Sequence, residues 1–185
     1  EAAGADVIIA QGVEAGGHRG SFETEDISRS LVGLFALLPA VVDAVKVPVV
    51  ATGGIADARG MAAALVLGAS AVQIGTGLLR TPEAGIVSPW ASAIGTALPE
   101  DTVPTRAFSG RFGRCIRNAY TEAAEEGPIP APYPIQGNIT KAMRASAKDI
   151  DRMQAWAGQS AGLARSEPAA ELITDLWKAA KEILQ

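Results

Sequence analysis

Apolar residues in the first half of the chain come in short unbroken runs, not in strict alternation. Asp6 is followed by Val7-Ile8-Ile9-Ala10, Val47-Pro48-Val49-Val50-Ala51 runs into Thr52, and Ala71-Val72 leads through Gln73 to Ile74. Such runs, bounded by turn residues, predict strands over 6–10, 48–52 and 71–74 that are buried on both faces of a parallel sheet. Apolar periodicity between them predicts helices. One spans about Leu31 to Val45, with Ser28-Arg29-Ser30 supplying its N-cap; the other spans about Asp57 to Leu67, with Asp57 as N-cap and Gly68 as its stop. Strands alternating with helices over short links define an α/β chain, whose right-handed crossovers curl either toward a barrel or into an open doubly wound sheet.

The pattern changes after Gly77. Pro82, Pro89 and Pro99 punctuate a helical region, and Val103 to Phe108 reads as a last short extended piece. A helix is expected to follow Ser109-Gly110-Arg111, through Ile116 and Tyr120 to Glu126. Four prolines in Gly127 to Pro134 then force an extended connector or lid. Helices over about Ile139–Ala147, Asp149–Ala157 and Pro168–Leu184 complete the chain, the last with Leu172, Ile173, Leu176, Trp177 and Ile183 at helical spacing. This divides the sequence into 1–108, carrying the β/α units, and 109–185, a helical region with the Pro-rich connector.

Composition narrows the classes. With 185 residues, 48% of them apolar and 19% charged, the chain is globular. A net charge of -4 leaves no basic stripe for nucleic acid, and arginines scattered along the chain read as solvated surface. The longest nearly continuous apolar stretch, Leu31 to Val42, contains Gly33 and Pro39 and is shorter than the roughly 20 residues of a membrane span. The single cysteine, Cys115, excludes an intramolecular disulfide, and there is no Cys/His cluster for zinc. Cys115 is expected on the face of the helix around Ile116, and a reducing cytoplasm is the expected location. No initiator methionine or targeting peptide is visible at Glu1, and the chain is expected to begin inside a domain.

The chemistry gathers at strand ends. Glycines there let backbone N–H groups approach a phosphate, with the N-terminus of the following helix adding a favourable partial charge. Gly53-Gly54 and Gly75-Thr76 have this placement on consecutive strands, as a phosphorylated cofactor requires. The only histidine, His18, lies in the glycine-rich loop Glu14-Ala15-Gly16-Gly17-His18-Arg19-Gly20, where it could act as base, acid or anion clamp. Gln11 ends the preceding strand with an amide suited to the edge of a heteroaromatic ring or to forming a turn. Glu14 could orient or cap the loop, or be plain solvated surface.

Together these segments resemble the nitronate monooxygenase family, formerly called 2-nitropropane dioxygenases. Glu14 to Gly20 is similar to its EAGGHxG loop, Ala51-Thr52-Gly53-Gly54-Ile55 to its phosphate loop, and Gln73-Ile74-Gly75-Thr76 to its final strand end. Thr105 to Arg111 and Tyr133-Pro134-Ile135-Gln136 resemble segments beyond the barrel in bacterial members. The resemblance implies the C-terminal portion of an FMN-binding TIM (β/α)₈ barrel, holding about the last three or four strands and followed by an α-helical C-terminal region. By the same resemblance, the family's first strands are expected to lie outside this sequence. It implies FMN contacts at Gln11, Gly16, Gly53, Gly54, Gln73, Ile74, Gly75 and Thr76, with His18 as the catalytic residue beside the flavin. The implied reaction oxidises an alkyl nitronate, or a nitroalkane, with O2 to a carbonyl compound and nitrite. The expected partners are thus small molecules, with a homodimer as an open alternative. Three rivals stand beside it: an FMN-dependent enoyl-thioester or NAD(P)H:quinone reductase on the same scaffold, a dehydrogenase of the inosine-monophosphate type, which would need a nucleophilic cysteine, and a non-catalytic fragment. Tyr133 and Gln136 could reach substrate from the Pro-rich segment or simply pack.

Overall fold

The computed structural model describes residues 1–22 and 27–185. Two small sheets organise them. The first is parallel, with β1 (Ile8–Gln11) and β4 (Ala71–Gln73) on either side of β3 (Val49–Thr52). Its register sets Gln11 beside Thr52 and Thr52 beside Gln73, so the three strands end level with one another. Helices α1 (Leu34–Ala44) and α2 (Ala58–Val66) make the crossovers, giving the α/β units that the sequence predicts. Asp57 caps α2 by accepting the Gly60 N–H at 2.9 Å.

The cap of α1 differs from the expectation. Ser28–Ser30 forms a separate 3₁₀ turn, and the N–H of Leu34 is taken by both carboxylate oxygens of Glu14, at 3.0 and 3.1 Å. A distant carboxylate in the glycine loop thus does the work of a local Ser, and it also favours the positive end of the helix. Glu14 is a cap and not solvated surface.

The strands are covered on one face only. Leu38, Val49, Ala51, Met61 and Ala62 build a core with Leu172, Leu176 and Ala180 of α7 (Ala169–Ile183), which packs on α2. Ile9, by contrast, is 56% exposed, so within this chain the expectation of strands buried on both faces does not hold.

The second sheet was not legible as a sheet. β5 (Thr102–Thr105) and the two-residue β2 (Gly17–His18) both pair antiparallel with β6 (Gly113–Ile116). The helix expected through Ile116 is therefore a strand, and only α4 (Ala119–Glu125) follows it. Cys115 lies on β6, fully buried, and not on a helix face. Between α4 and α7 come α5 (Ile135–Ile139), which was not expected, and α6 (Lys141–Ser146), which fills the helix expected over about Ile139–Ala147. The helix expected over Asp149–Ala157 reduces to a 3₁₀ turn at Ile150–Arg152. Beyond it the chain runs extended to bridge Cys115 at Trp156, and it is held by an alanine-rich core of Ala155, Ala157, Ala161 and Ala164 against Ile94 and Ile116. Α3 (Ser88–Thr96) carries Ile94. Among the described residues, no helix is long and apolar enough to cross a membrane, and no group of His, Cys, Asp and Glu could hold a metal ion.

Candidate active site

The level ends of β1, β3 and β4 open into a cavity of about 390 Å³, within the range of small-molecule sites. Its walls include Gln11, Gly16, Gly53, Gly54, Gln73, Gly75 and Thr76, seven of the eight residues proposed for cofactor contact. Ile74 is the exception, because its side chain packs into the core beneath the sheet. His18 does not line the cavity either. It is tied to the wall through Gln11, whose amide donates to the His18 carbonyl at 3.0 Å and accepts the Gly20 N–H at 2.8 Å. Both ends of the Gln11 amide are thus engaged in holding the histidine loop.

Gly53 and Gly54 both have positive φ, 109° and 69°, a conformation that L side chains adopt only with strain. The turn they make directs the chain away from the strand end and into α2. No described acceptor takes the N–H groups of Gly53, Gly54 or Gly75. Free N–H groups on two adjacent strand ends are the donor set that a phosphate needs. The α2 terminus contributes less than expected, since the Asp57 carboxylate already occupies it.

A fourth wall was missed from the sequence. The segment after Trp156 crosses the strand ends, and Gly158 and Ser160 line the cavity. Gly158 donates to Thr76 Oγ1 at 2.9 Å, and Gln159 donates to the Glu14 carbonyl at 2.9 Å. The approach is so close that a Cβ on Gly16 would lie 2.6 Å from the Gly158 nitrogen, and one on Gly158 would lie 2.6 Å from the Glu14 oxygen. Gly16 is therefore required by backbone packing. The small polar cluster Gly158-Gln159-Ser160 was the signal for a loop here.

Three arginines were also missed. Arg19 and Arg114 are each only 6% exposed, contrary to the expectation of solvated surface. Arg19 donates to the carbonyls of Gly12 at 2.7 Å and Gln11 at 3.0 Å. Arg114 reaches across from β6 to the Val13 carbonyl at 3.0 Å and to Thr102. Arg111 donates to the carbonyls of Arg19 and Ser21. Guanidinium forks thus take carbonyls that a glycine-rich loop cannot satisfy by itself. Burial lowers the pKa of both Arg19 and Arg114, and Glu14 opposes that shift in each.

His18 lies on β2, at the edge of the second sheet, and its ring meets the loop between β5 and β6. Its Nε2 lies 2.7 Å from Ser109 Oγ, and its ring meets Trp156 and Tyr133 edge-on, with centroids 5.1 and 6.0 Å away. Burial lowers its pKa, and the Arg111 charge pushes the same way, so both disfavour the imidazolium. Gln136 does not reach toward this group: it is buried, accepting from the Ala131 N–H at 3.1 Å and donating to the Ala107 carbonyl at 2.7 Å. It latches the Pro-rich segment. Tyr133, 55% exposed, stands at the side of His18.

Comparison with known proteins gives consistent results. A family model described as nitronate monooxygenase matches residues 1–179. A "probable nitronate monooxygenase" of Staphylococcus aureus (strain MSSA476) is 42% identical over 190 residues, taking in 100% of this chain and 53% of the relative. Among solved structures, nitroalkane oxidase from Streptomyces ansochromogenes superposes with a TM-score of 0.90 at 42% identity, over 98% of this chain and 53% of that one. FabK from Thermotoga maritima follows at a TM-score of 0.79 and 36% identity, over 99% and 57%. Both are TIM-barrel enzymes, and the chain spans about half the length of the relatives it matches.

Proposed function

The chain belongs to the nitronate monooxygenase family, and from that premise we propose that its cavity holds FMN and that the protein oxidises alkyl nitronates with O2 to a carbonyl compound and nitrite. The observation that carries the reading is the convergence of Gly53, Gly54 and Gly75 on one cavity, with N–H groups free for a phosphate. Gln11, Gly16, Gln73 and Thr76 form the remaining contact wall, and Ile74 contributes through its backbone. Bound there, FMN supplies the electron transfer between nitronate and O2. The protein's own share is to bind, orient and move a proton.

For a neutral nitroalkane the proton must leave carbon before oxidation. An uncharged imidazole accepts it; an imidazolium could only clamp the nitronate. The lowered pKa of His18 favours the first role. Cys115, buried on β6, is unsuited to the nucleophilic role that the dehydrogenase rival requires. An enoyl-thioester or quinone reductase remains the alternative on this scaffold, and it would consume NAD(P)H. The reading carries with it a cytoplasmic location and small-molecule partners.

The test is turnover of flavin-loaded protein, read as nitrite release in O2 and as NAD(P)H consumption. His18→Ala should retain FMN and lower turnover of a neutral nitroalkane by about 10²-fold or more, while a preformed nitronate is still oxidised. NAD(P)H-dependent reduction of an enoyl thioester or a quinone, without nitrite release, would overturn the assignment.

A further inference from the structure

We propose that Ser109 is a positioning residue for His18, holding the imidazole in the tautomer protonated on Nε2, so that Nδ1 is the atom that accepts the substrate's proton. The inference rests on the reading of His18 as a base. Its starting point is a proton count at one hydroxyl. Ser109 Oγ has one proton to give and two lone pairs to offer. It lies 3.1 Å from the Arg111 carbonyl, 3.3 Å from the Arg111 N–H and 2.7 Å from His18 Nε2. The N–H of Arg111 can only donate and its carbonyl can only accept. With the hydroxyl proton on that carbonyl, the second lone pair is left for Nε2, which must then carry the hydrogen. In the opposite assignment Ser109 donates to Nε2, and the Arg111 carbonyl loses its donor, for which no described residue substitutes.

The serine is itself held in place. It is 6% exposed, in the loop between β5 and β6, and its neighbours on both sides are fastened. The Ala107 carbonyl takes the Gln136 amide at 2.7 Å, the Phe108 carbonyl takes the Thr140 hydroxyl at 2.6 Å, and the Gly110 N–H donates to the Arg106 carbonyl at 2.8 Å. On the other side, Gln11 grips the His18 backbone, and the edges of Trp156 and Tyr133 restrict ring rotation. A rigid partner on Nε2 fixes both the tautomer and the ring plane, which is how a neutral histidine is prepared as a base at its other nitrogen.

Because His18 is the only histidine, ¹⁵N-histidine labelling yields one pair of ring nitrogens. Two-bond ¹H–¹⁵N correlation of the wild-type protein above the His18 pKa should show a pyrrole-type Nε2 and a pyridine-type Nδ1. Ser109→Ala should give averaged signals from both tautomers and lower kcat on a neutral nitroalkane by about 10-fold or more. KM and turnover of preformed nitronate should stay nearly unchanged, and Ser109→Thr should restore the wild-type spectrum. A wild-type spectrum with the proton on Nδ1, or an unaltered tautomer in Ser109→Ala, would overturn the assignment, and the wild-type measurement needs no variant to fold. If instead His18→Ala keeps full turnover of nitroalkane, the base reading falls. An Nδ1-protonated spectrum together with inactive His18→Ala overturns the role of Ser109 alone.

Discussion

Gly75→Ala separates a cofactor role for the strand ends from a structural one. Gly75 has φ of -99°, which alanine adopts without strain, and a Cβ built there meets nothing within 4 Å. The substitution therefore costs the fold nothing. By restricting the unfolded chain it should add about 0.4–1 kcal/mol of stability, a Tm rise of roughly 1–4 °C for a domain of this size. The same methyl group enters the cavity wall beside a free N–H. Losing one charge-assisted hydrogen bond to a phosphate costs about 1.5–3 kcal/mol, which weakens FMN by about 10- to 150-fold. Neighbouring glycines offer no such separation. At Gly53, with φ of 109°, a Cβ would lie 3.0 Å from the Ala15 nitrogen, so folding and binding would fail together. Thermal melts without flavin and fluorescence titration with FMN measure the two effects. A lowered Tm with FMN affinity unchanged would refute the reasoning.

Two further predictions concern titration. Because burial and Arg111 depress the pKa of His18, kcat/KM on neutral nitroalkanes should fall toward acid with an apparent pKa below 6.5, and replacing Arg111 by Met should move that limb upward. The linked effect on stability has a fixed sign. Between the depressed folded pKa and 6.5 the unfolded chain binds the proton more readily, so stability falls as pH drops through that window; a stability that rises there would contradict the placement of His18. Cys115, whose thiol burial pushes up to about 12, should resist iodoacetamide in the native protein at pH 8 and react once it is unfolded. Rapid native alkylation would show β6 to be open.

The parallel sheet was legible because its signals are local: apolar runs, Asp57 as a cap, and the Gly68 stop. Gly53-Gly54 and Gly75 could be placed on one cavity because level parallel strands put their ends together. The second sheet was hidden for the opposite reason. Gly113–Ile116 is short and polar at Arg114, and it is a strand only because β5 and β2 flank it, the latter from nearly a hundred residues away. The fates of Glu14, Arg19 and Arg114 were likewise illegible. Charged residues read as surface unless their partners are known, and here those partners are backbone groups that only the folded chain brings within reach: Leu34 for Glu14, Gly12 and Gln11 for Arg19, and Val13 and Thr102 for Arg114. Ser109 lies in the Thr105 to Arg111 segment that carries part of the resemblance, but its role was illegible because nothing in its own neighbourhood announces a histidine 91 residues earlier.

The central claim is that the glycine strand ends bind the phosphate of a flavin. Parallel equilibrium titrations of the purified protein with FMN and with riboflavin, which share the ring system and differ only in that phosphate, test it most directly. FMN should bind at least about 10²-fold more tightly, as expected when several charge-assisted hydrogen bonds are lost together. Equal affinity for the two would contradict the claim.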